Sequence, residues 1–326
     1  MDFELDHDQR AILDAVAVLL DQHAGASRAI ELAPKAEYDH SLEAALREAG
    51  FLDVALGDET GSLEAALVAE AVARAGGVVA IAAATLVAPA LTGRSLPGPI
   101  ALARVDESRP DQSEPVRFAG HARTLLVLDG EQARVVTLES GEAEPIPSNY
   151  GYPMARVSSD ALGRGEALGA GSGARLVRWW RLAIAVEAVG TMGAALETTV
   201  EFVRRRRQFG RAIGSFQAVQ HRLAECAVLV EGSRWLAYEA AYEGVSEGGA
   251  GEDAAREQRA ATAAAHATAA AGRVFAETHQ LTGAMGFTRE HDLHVWSMRL
   301  QALRVELDGV SGQRRAVAQA RWVQKR

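Results

Sequence analysis

Arg204-Arg205-Arg206-Arg207-Gln208-Phe209-Gly210-Arg211-Ala212-Ile213-Gly214-Ser215-Phe216-Gln217-Ala218-Val219-Gln220-His221 is the stretch on which the reading of this chain turns. Before it Leu182, Val186, Val189, Gly193, Leu196, Val200 and Val203 recur at intervals of three and four, and after it Val219, Leu223, Cys226 and Val230 do the same. Two amphipathic helices joined by a tight polar turn are therefore expected. Four arginines fall where the first helix ends. Cations there meet unpaired carbonyls and the negative end of the helix dipole. The same cluster is also suited to an anion, because a planar guanidinium matches the oxygens of a phosphate or pyrophosphate. Sequence spacing alone leaves both readings open.

The run from Arg204 through Cys226 resembles the signature of the acyl-CoA dehydrogenase family, flavoenzymes that desaturate acyl-CoA thioesters. Gln280-Leu281-Thr282-Gly283-Ala284-Met285-Gly286-Phe287 resembles that family's Q-x-x-G-G-x-G-[FY] element, with Ala284 in place of a usual glycine. The resemblance implies a mainly α fold with a small β domain. The expected layout is an N-terminal helical domain over 1–92, a reduced middle β domain over 93–168, and a C-terminal four-helix bundle over 169–326.

It also implies half of an FAD site. Arg206 would pair with the pyrophosphate, Phe209 would pack on the cofactor, Gln280 and Gln217 would line it, and Gly283 and Gly286 would let backbone approach it closely. The other half is missing from the pattern. The threonine-glutamate, glycine-serine-aspartate and tryptophan elements that hold the flavin ring in family members are not found between Gly93 and Ala174, and that stretch has no tryptophan. Of the two places from which the family supplies its catalytic carboxylate, one falls on Trp180, next to Trp179. The other falls near Glu306 and Asp308, with a register shift of one residue. The resemblance is therefore to the short subunit of heteromeric (α2β2) acyl-CoA dehydrogenases, some of which act on steroid-derived thioesters. In that reading FAD is shared with a longer partner subunit that holds most of the acyl-CoA. Two alternatives are a self-sufficient homomeric enzyme using Asp308 or Glu306 as base, and a cofactor-free helical scaffold.

The rest of the chain fits this outline. Helices are expected over Asp2–His23, Ser41–Ala49 with Ser41 as cap, Ser62–Ala75, and the nearly all-apolar Val78–Leu91. From Gly93 the texture changes to short β-like runs: Ile100–Ala103, Pro115–Phe118, Thr124–Leu128 and Arg134–Leu138, with Asp129-Gly130 as a hairpin turn. Gly169-Ala170-Gly171-Ser172-Gly173 reads as a flexible linker, because no strand leads into it and no Gly-Lys-Ser/Thr follows. After it come a helix through Glu201, Gln217 to about Tyr242, a loop over Gly244–Gly251, and helices over Glu252–His279, Glu290 to about Glu306 and Gly312–Arg326. Glu290, His291, Asp292 and His294 are a conceivable ligand cluster, with Glu290 and His294 on one face at i, i+4, but no metal is expected there.

The 326 residues are 48% hydrophobic and only 6% aromatic, with a net charge of −9. That balance argues against a nucleic-acid surface. The single cysteine, Cys226, can form no internal disulfide and reads as a small buried hydrophobe. No apolar run reaches about 18 residues and no apolar segment follows a basic start, so a cytoplasmic protein without membrane contact is expected.

Overall fold

A computed structural model describes residues 4–106, 113–242 and 250–322. The N-terminal layer is helical. Helix α1 (His7–His23) starts at a reciprocal cap: Asp6 accepts from the Gln9 backbone N–H at 2.8 Å, and the Gln9 side chain accepts from Asp6 N–H. After α2 (Ala26–Leu32), helix α3 (His40–Glu48) is capped by buried Asp39 and not, as expected, by Ser41. Asp39 accepts from the Leu42 N–H at 3.1 Å and from the Ser41 hydroxyl at 2.8 Å, and pairs with Arg28 at 2.9 Å. Burial works against its charge. The Arg28 and Leu42 contacts outweigh that and hold its pKa below the usual carboxylate range.

Helix α4 (Ser62–Arg74) follows. The helix expected over Val78–Leu91 forms over residues 81–92, starting three residues late and containing a π turn. Residues 78–80 are irregular, 81–82 are helical, a π turn spans Ala83–Val87, and α5 (Ala88–Thr92) continues the same helix. Pro89 explains the π turn. It has no N–H for the preceding turn, and the wider π turn makes room for its ring.

The middle region holds two small sheets. Strands β1 (Ile100–Arg104), β2 (Val116–Arg117), β3 (Thr124–Asp129), β4 (Gln132–Thr137), β5 (Ala143–Ile146) and β6 (Met154–Val157) are followed by the short helix α6 (Ser159–Gly163) and strand β7 (Glu166–Ala167). One sheet has the order β1-β3-β4-β7 with β1 parallel to β3, and the other has the order β2-β6-β5. The Asp129-Gly130 hairpin forms, with Asp129 opposite Gln132 and Gly130 at φ +57°. Leu125 and Val127 face the core between the sheets, whereas Leu126 faces the helices. A strand buried on both faces reads as an unbroken apolar run, which is why β3 is visible in the sequence.

Helix α7 (Ser172–Arg205) leads into a two-strand ribbon of β8 (Arg207–Gln208) and β9 (Arg211–Ala212). Helices α8 (Gln217–Tyr242), α9 (Ala250–Thr282), α10 (Leu293–Val305) and α11 (Gly309–Trp322) complete the bundle. Most of the loop expected at Gly244–Gly251 lies outside the described residues. The glycine-rich segment before α7 is no slack tether. Ser172 Oγ accepts from Ala133 N–H at 2.8 Å and donates to Gly169 C=O at 2.6 Å, and Gly173 lies so close to Glu131 that a Cβ would strike its carbonyl.

Helix α7 is the axis of the bundle. It is long and apolar enough to cross a membrane, and 78% of its apolar window is buried inside the protein. It touches α4 at Gly190, where a Cβ would meet the Glu70 carbonyl oxygen and the Arg74 backbone nitrogen. Gly190→Ala is expected to cost about 1–3 kcal/mol by overpacking, even though alanine is the better helix former by about 1 kcal/mol. Urea unfolding checks this, and a variant more stable than the parent would contradict the close crossing.

Candidate functional site

The two sequence motifs meet at one end of the bundle. Helices α7 and α9 are both antiparallel to α8, so their C-termini lie at the same end. Arg206 caps α7 in an extended conformation (φ −70°, ψ 121°), and its carbonyl accepts from Ile213 N–H at 2.8 Å. Phe209 and Gly210 then turn the ribbon with φ +52° and +79°. Two consecutive left-handed residues are what a tight two-residue hairpin needs, and Gly210 supplies one without strain. Phe209 supplies the other against its steric preference, and the residue is 89% exposed. Arg211 stacks on Phe216 with its guanidinium 3.9 Å from the ring centre, and Arg205 pairs with Glu201. Arg204, Arg206 and Arg207 are exposed and have no ion pair among the described residues.

At the end of α9, Gln280 and Gly283 are exposed, and Gly283 sits at φ +59° with open space where a side chain would be. Gln217 is also exposed, at the first position of α8. Gly286 differs from expectation. It is buried, and a Cβ there would run into Thr282 Oγ1 and crowd Leu293, so it serves the packing of its own turn. An open cavity of about 450 Å³ lies between Thr198, Phe202 and Arg206 on one side and Glu290, His291 and Asp292 on the other. Glu290 does not share a helical face with His294, because α10 begins only at Leu293. No group of metal-ligating side chains is found among the described residues. An exposed, unpaired arginine, an exposed phenyl ring and a glycine with free space suit the diphosphate and adenosine of a dinucleotide.

A second cavity, of about 440 Å³, lies between the β layers and the bundle. Its floor is a buried ion network. Arg117 on β2 sits between Glu187 of α7, at 2.8 Å, and Glu306 beyond α10. Trp180 donates its indole N–H to Glu306 at 2.7 Å. The Tyr152 ring has two guanidiniums, Arg117 and Arg299, each 4.9 Å from its centre. Burial raises the pKa of Glu187 despite Arg117, while two carboxylates more than offset the burial of Arg117 and keep it charged.

The two carboxylates that the self-sufficient alternative would use as base are both engaged. Glu306 is held by Arg117 and Trp180. Asp308, about half exposed, is held by Arg104 at 2.7 Å in a backbone turn where Leu307, Asp308 and Gly309 all have positive φ. Sequence reasoning missed Arg117 and Glu187. Glu187 left a signal, as the lone acid within Leu182-Ala183-Ile184-Ala185-Val186-Glu187-Ala188-Val189, where a charge must find a buried partner.

Arg117→Ala would leave two buried carboxylates facing each other, at a cost of about 3–5 kcal/mol. A carboxyl whose folded pKa lies above its unfolded value binds more protons when folded, so stability falls as pH rises through that window. The loss in Arg117→Ala should therefore shrink as pH is lowered from 8 towards 5 in urea titrations. A pH-independent loss would show that the carboxylates are not in contact.

Residues 173–321 match the family model for the acyl-CoA dehydrogenase C-terminal domain. The chain is 30% identical over 316 residues to acyl-CoA dehydrogenase IpdE2 of Mycobacterium tuberculosis, which covers 90% of this chain and 90% of that protein. In fold it is similar to a chain of the ChsE4-ChsE5 complex from Mycobacterium tuberculosis, with a TM-score of 0.75 and 23% identity over 98% of both chains. It is similar also to the Tcur3481-Tcur3483 steroid ACAD, with a TM-score of 0.76 and 22% identity over 96% of this chain and 97% of that one. A near full-length relative and a matching bundle domain lead to one conclusion: this chain belongs to the acyl-CoA dehydrogenase family.

Proposed function

We propose that this chain is the short subunit of a heteromeric, FAD-dependent acyl-CoA dehydrogenase that α,β-desaturates an acyl-CoA thioester, and that it completes the cofactor site of a longer partner. The observation that carries this is the fate of the base position. Trp180 stands there, and its indole is committed to Glu306, which Arg117 already neutralises. Desaturation needs a carboxylate free to take the proton α to the thioester. Neither Glu306 nor Asp308 is free without losing a guanidinium partner.

The bundle end complements this. Arg206, Phe209, Gln280 and Gly283 are exposed and fit the adenosine and pyrophosphate of FAD. When bound, FAD supplies the hydride acceptor. This chain's residues hold its anionic end, and the partner contributes the flavin pocket, the base and most of the acyl-CoA contacts. A half-site on each of two unlike chains is the asymmetric version of an isologous pair, and an α2β2 assembly follows naturally from it. The likeness to the ChsE4-ChsE5 complex supports a partner, and the likeness to the Tcur3481-Tcur3483 steroid ACAD supports a partner and a bulky, steroid-derived acyl group. A cofactor-free scaffold would have no use for the unpaired Arg206 and the strained, exposed Phe209.

The chain purified alone should be colourless, and co-expression with a longer family member should give one FAD per heterodimer by absorbance and native mass. Arg206→Ala should then abolish flavin retention. One FAD per chain in the solitary protein would sink the reading. Within the complex, Asp308→Asn and Glu306→Gln should leave kcat within about twofold. A loss of 100-fold or more in either would make that carboxylate the base.

A further inference from the structure

The cavity beside Arg206 contains a histidine whose tautomer and orientation are both fixed. His291 Nδ1 accepts from Leu293 N–H at 3.2 Å, in the first turn of α10. An accepting Nδ1 carries no proton, so in the neutral ring the proton is on Nε2. The backbone on which the ring stands is also tied, because the His291 carbonyl accepts from His294 Nδ1–H at 2.9 Å. The ring packs edge to face with Phe202 of α7 at 5.2 Å between centres, which sets its plane. Nε2 has no protein partner among the described residues. His291 lines the same cavity as Arg206, while the neighbouring Arg205 is taken up by Glu201.

The half-buried setting favours the neutral ring. This matters for the charge of the cavity. Glu201, Glu290 and Asp292 already stand against two guanidiniums, and a neutral donor adds a directed hydrogen bond without depending on a further charge.

We infer that His291 is a positioning residue of the shared cofactor site: its Nε2–H donates to an oxygen of the diphosphate–ribose part of the dinucleotide, beside the Arg206 contact. This rests on the half-site reading above. Helix α10 supplies the constraint, because its first-turn N–H selects the tautomer that leaves the outer nitrogen a donor. Phe202 and His291 together then join the ends of α7 and α10 around the ligand.

The test uses the co-expressed complex freed of flavin, titrated calorimetrically with ADP, which lacks the flavin ring and reports on this end alone. His291→Phe keeps an aromatic ring against Phe202 and removes the donor. It should weaken ADP about tenfold and speed FAD release by a similar factor, with an unchanged thermal midpoint before reconstitution. His291→Gln, which restores an N–H donor, should recover binding to within about threefold of the parent. Long-range nitrogen–proton spectra should show the Nε2–H tautomer. If Arg206→Ala loses ADP while His291→Phe binds it like the parent, the inference fails and the half-site reading stands. An equal loss in His291→Phe and His291→Gln, or an Nδ1–H tautomer, overturns it as well. If Arg206→Ala and the parent bind ADP alike, the half-site reading falls and this inference falls with it.

Discussion

Arg117 between Glu187 and Glu306 is the interaction around which the interior is arranged. Three charges are removed from water where a β strand, the central helix and the segment after α10 meet. Each charge is tolerable only because the others are present, since a lone buried ion costs far more than a surface pair gains. The network fixes β2 against α7, and Trp180 reaches into it from about two turns before Glu187 on the same helix. Arg299 works on the other side. It is 1% exposed, donates to the Gly77 and Gly151 carbonyls at 3.1 and 3.2 Å, and so joins the N-terminal helices and the β region to α10.

This arrangement has a chemical consequence. In a flavin dehydrogenase the space between the β layers and the bundle has to keep a reactive carboxylate available and a flat ring accommodated. Here the same space contains an indole, two carboxylates bound to one guanidinium, and a cavity of about 440 Å³ above them. Opposite charges held side by side give the region order. At the far end of the bundle the balance is reversed. Phe209 is strained and exposed, Arg206 has no ion pair among the described residues, and Gly283 has open space beside it. A backbone conformation unfavourable to phenylalanine persists only where surrounding structure or a ligand gives it a use. One end of the chain is therefore closed on itself, and the other leaves its polar and aromatic groups exposed.

Much of this was legible residue by residue. The helix–turn–helix around Phe209-Gly210 follows from three-and-four spacing on either side of a glycine turn, and α8 begins at Gln217 as that spacing requires. The Asp129-Gly130 hairpin and β3 follow from turn chemistry and an unbroken apolar run. Strands β5 and β7 left no such trace. Ala143-Glu144-Pro145-Ile146 is a short edge strand carrying a proline, and Glu166-Ala167 is a two-residue pairing, so neither has a hydrophobic period to read. The cap of α3 was misread by two residues, because Asp39 and Ser41 are both good caps and only the buried Arg28 contact decides between them.

The sequence by itself determined the family resemblance, the helical bundle, and the placement of Arg206, Phe209, Gln280 and Gly283 at loop ends. These are local matters of period, turn residues and motif spacing. Only the tertiary structure decided what the polar residues do. It paired Glu306 with Arg117 and Asp308 with Arg104, drew Arg117 and Glu187 together across 70 residues, and turned Gly286 inward. The physical reason is that a side chain's charge state and availability depend on its burial and its neighbours in space. Those neighbours come from distant parts of the chain, and no periodicity encodes them.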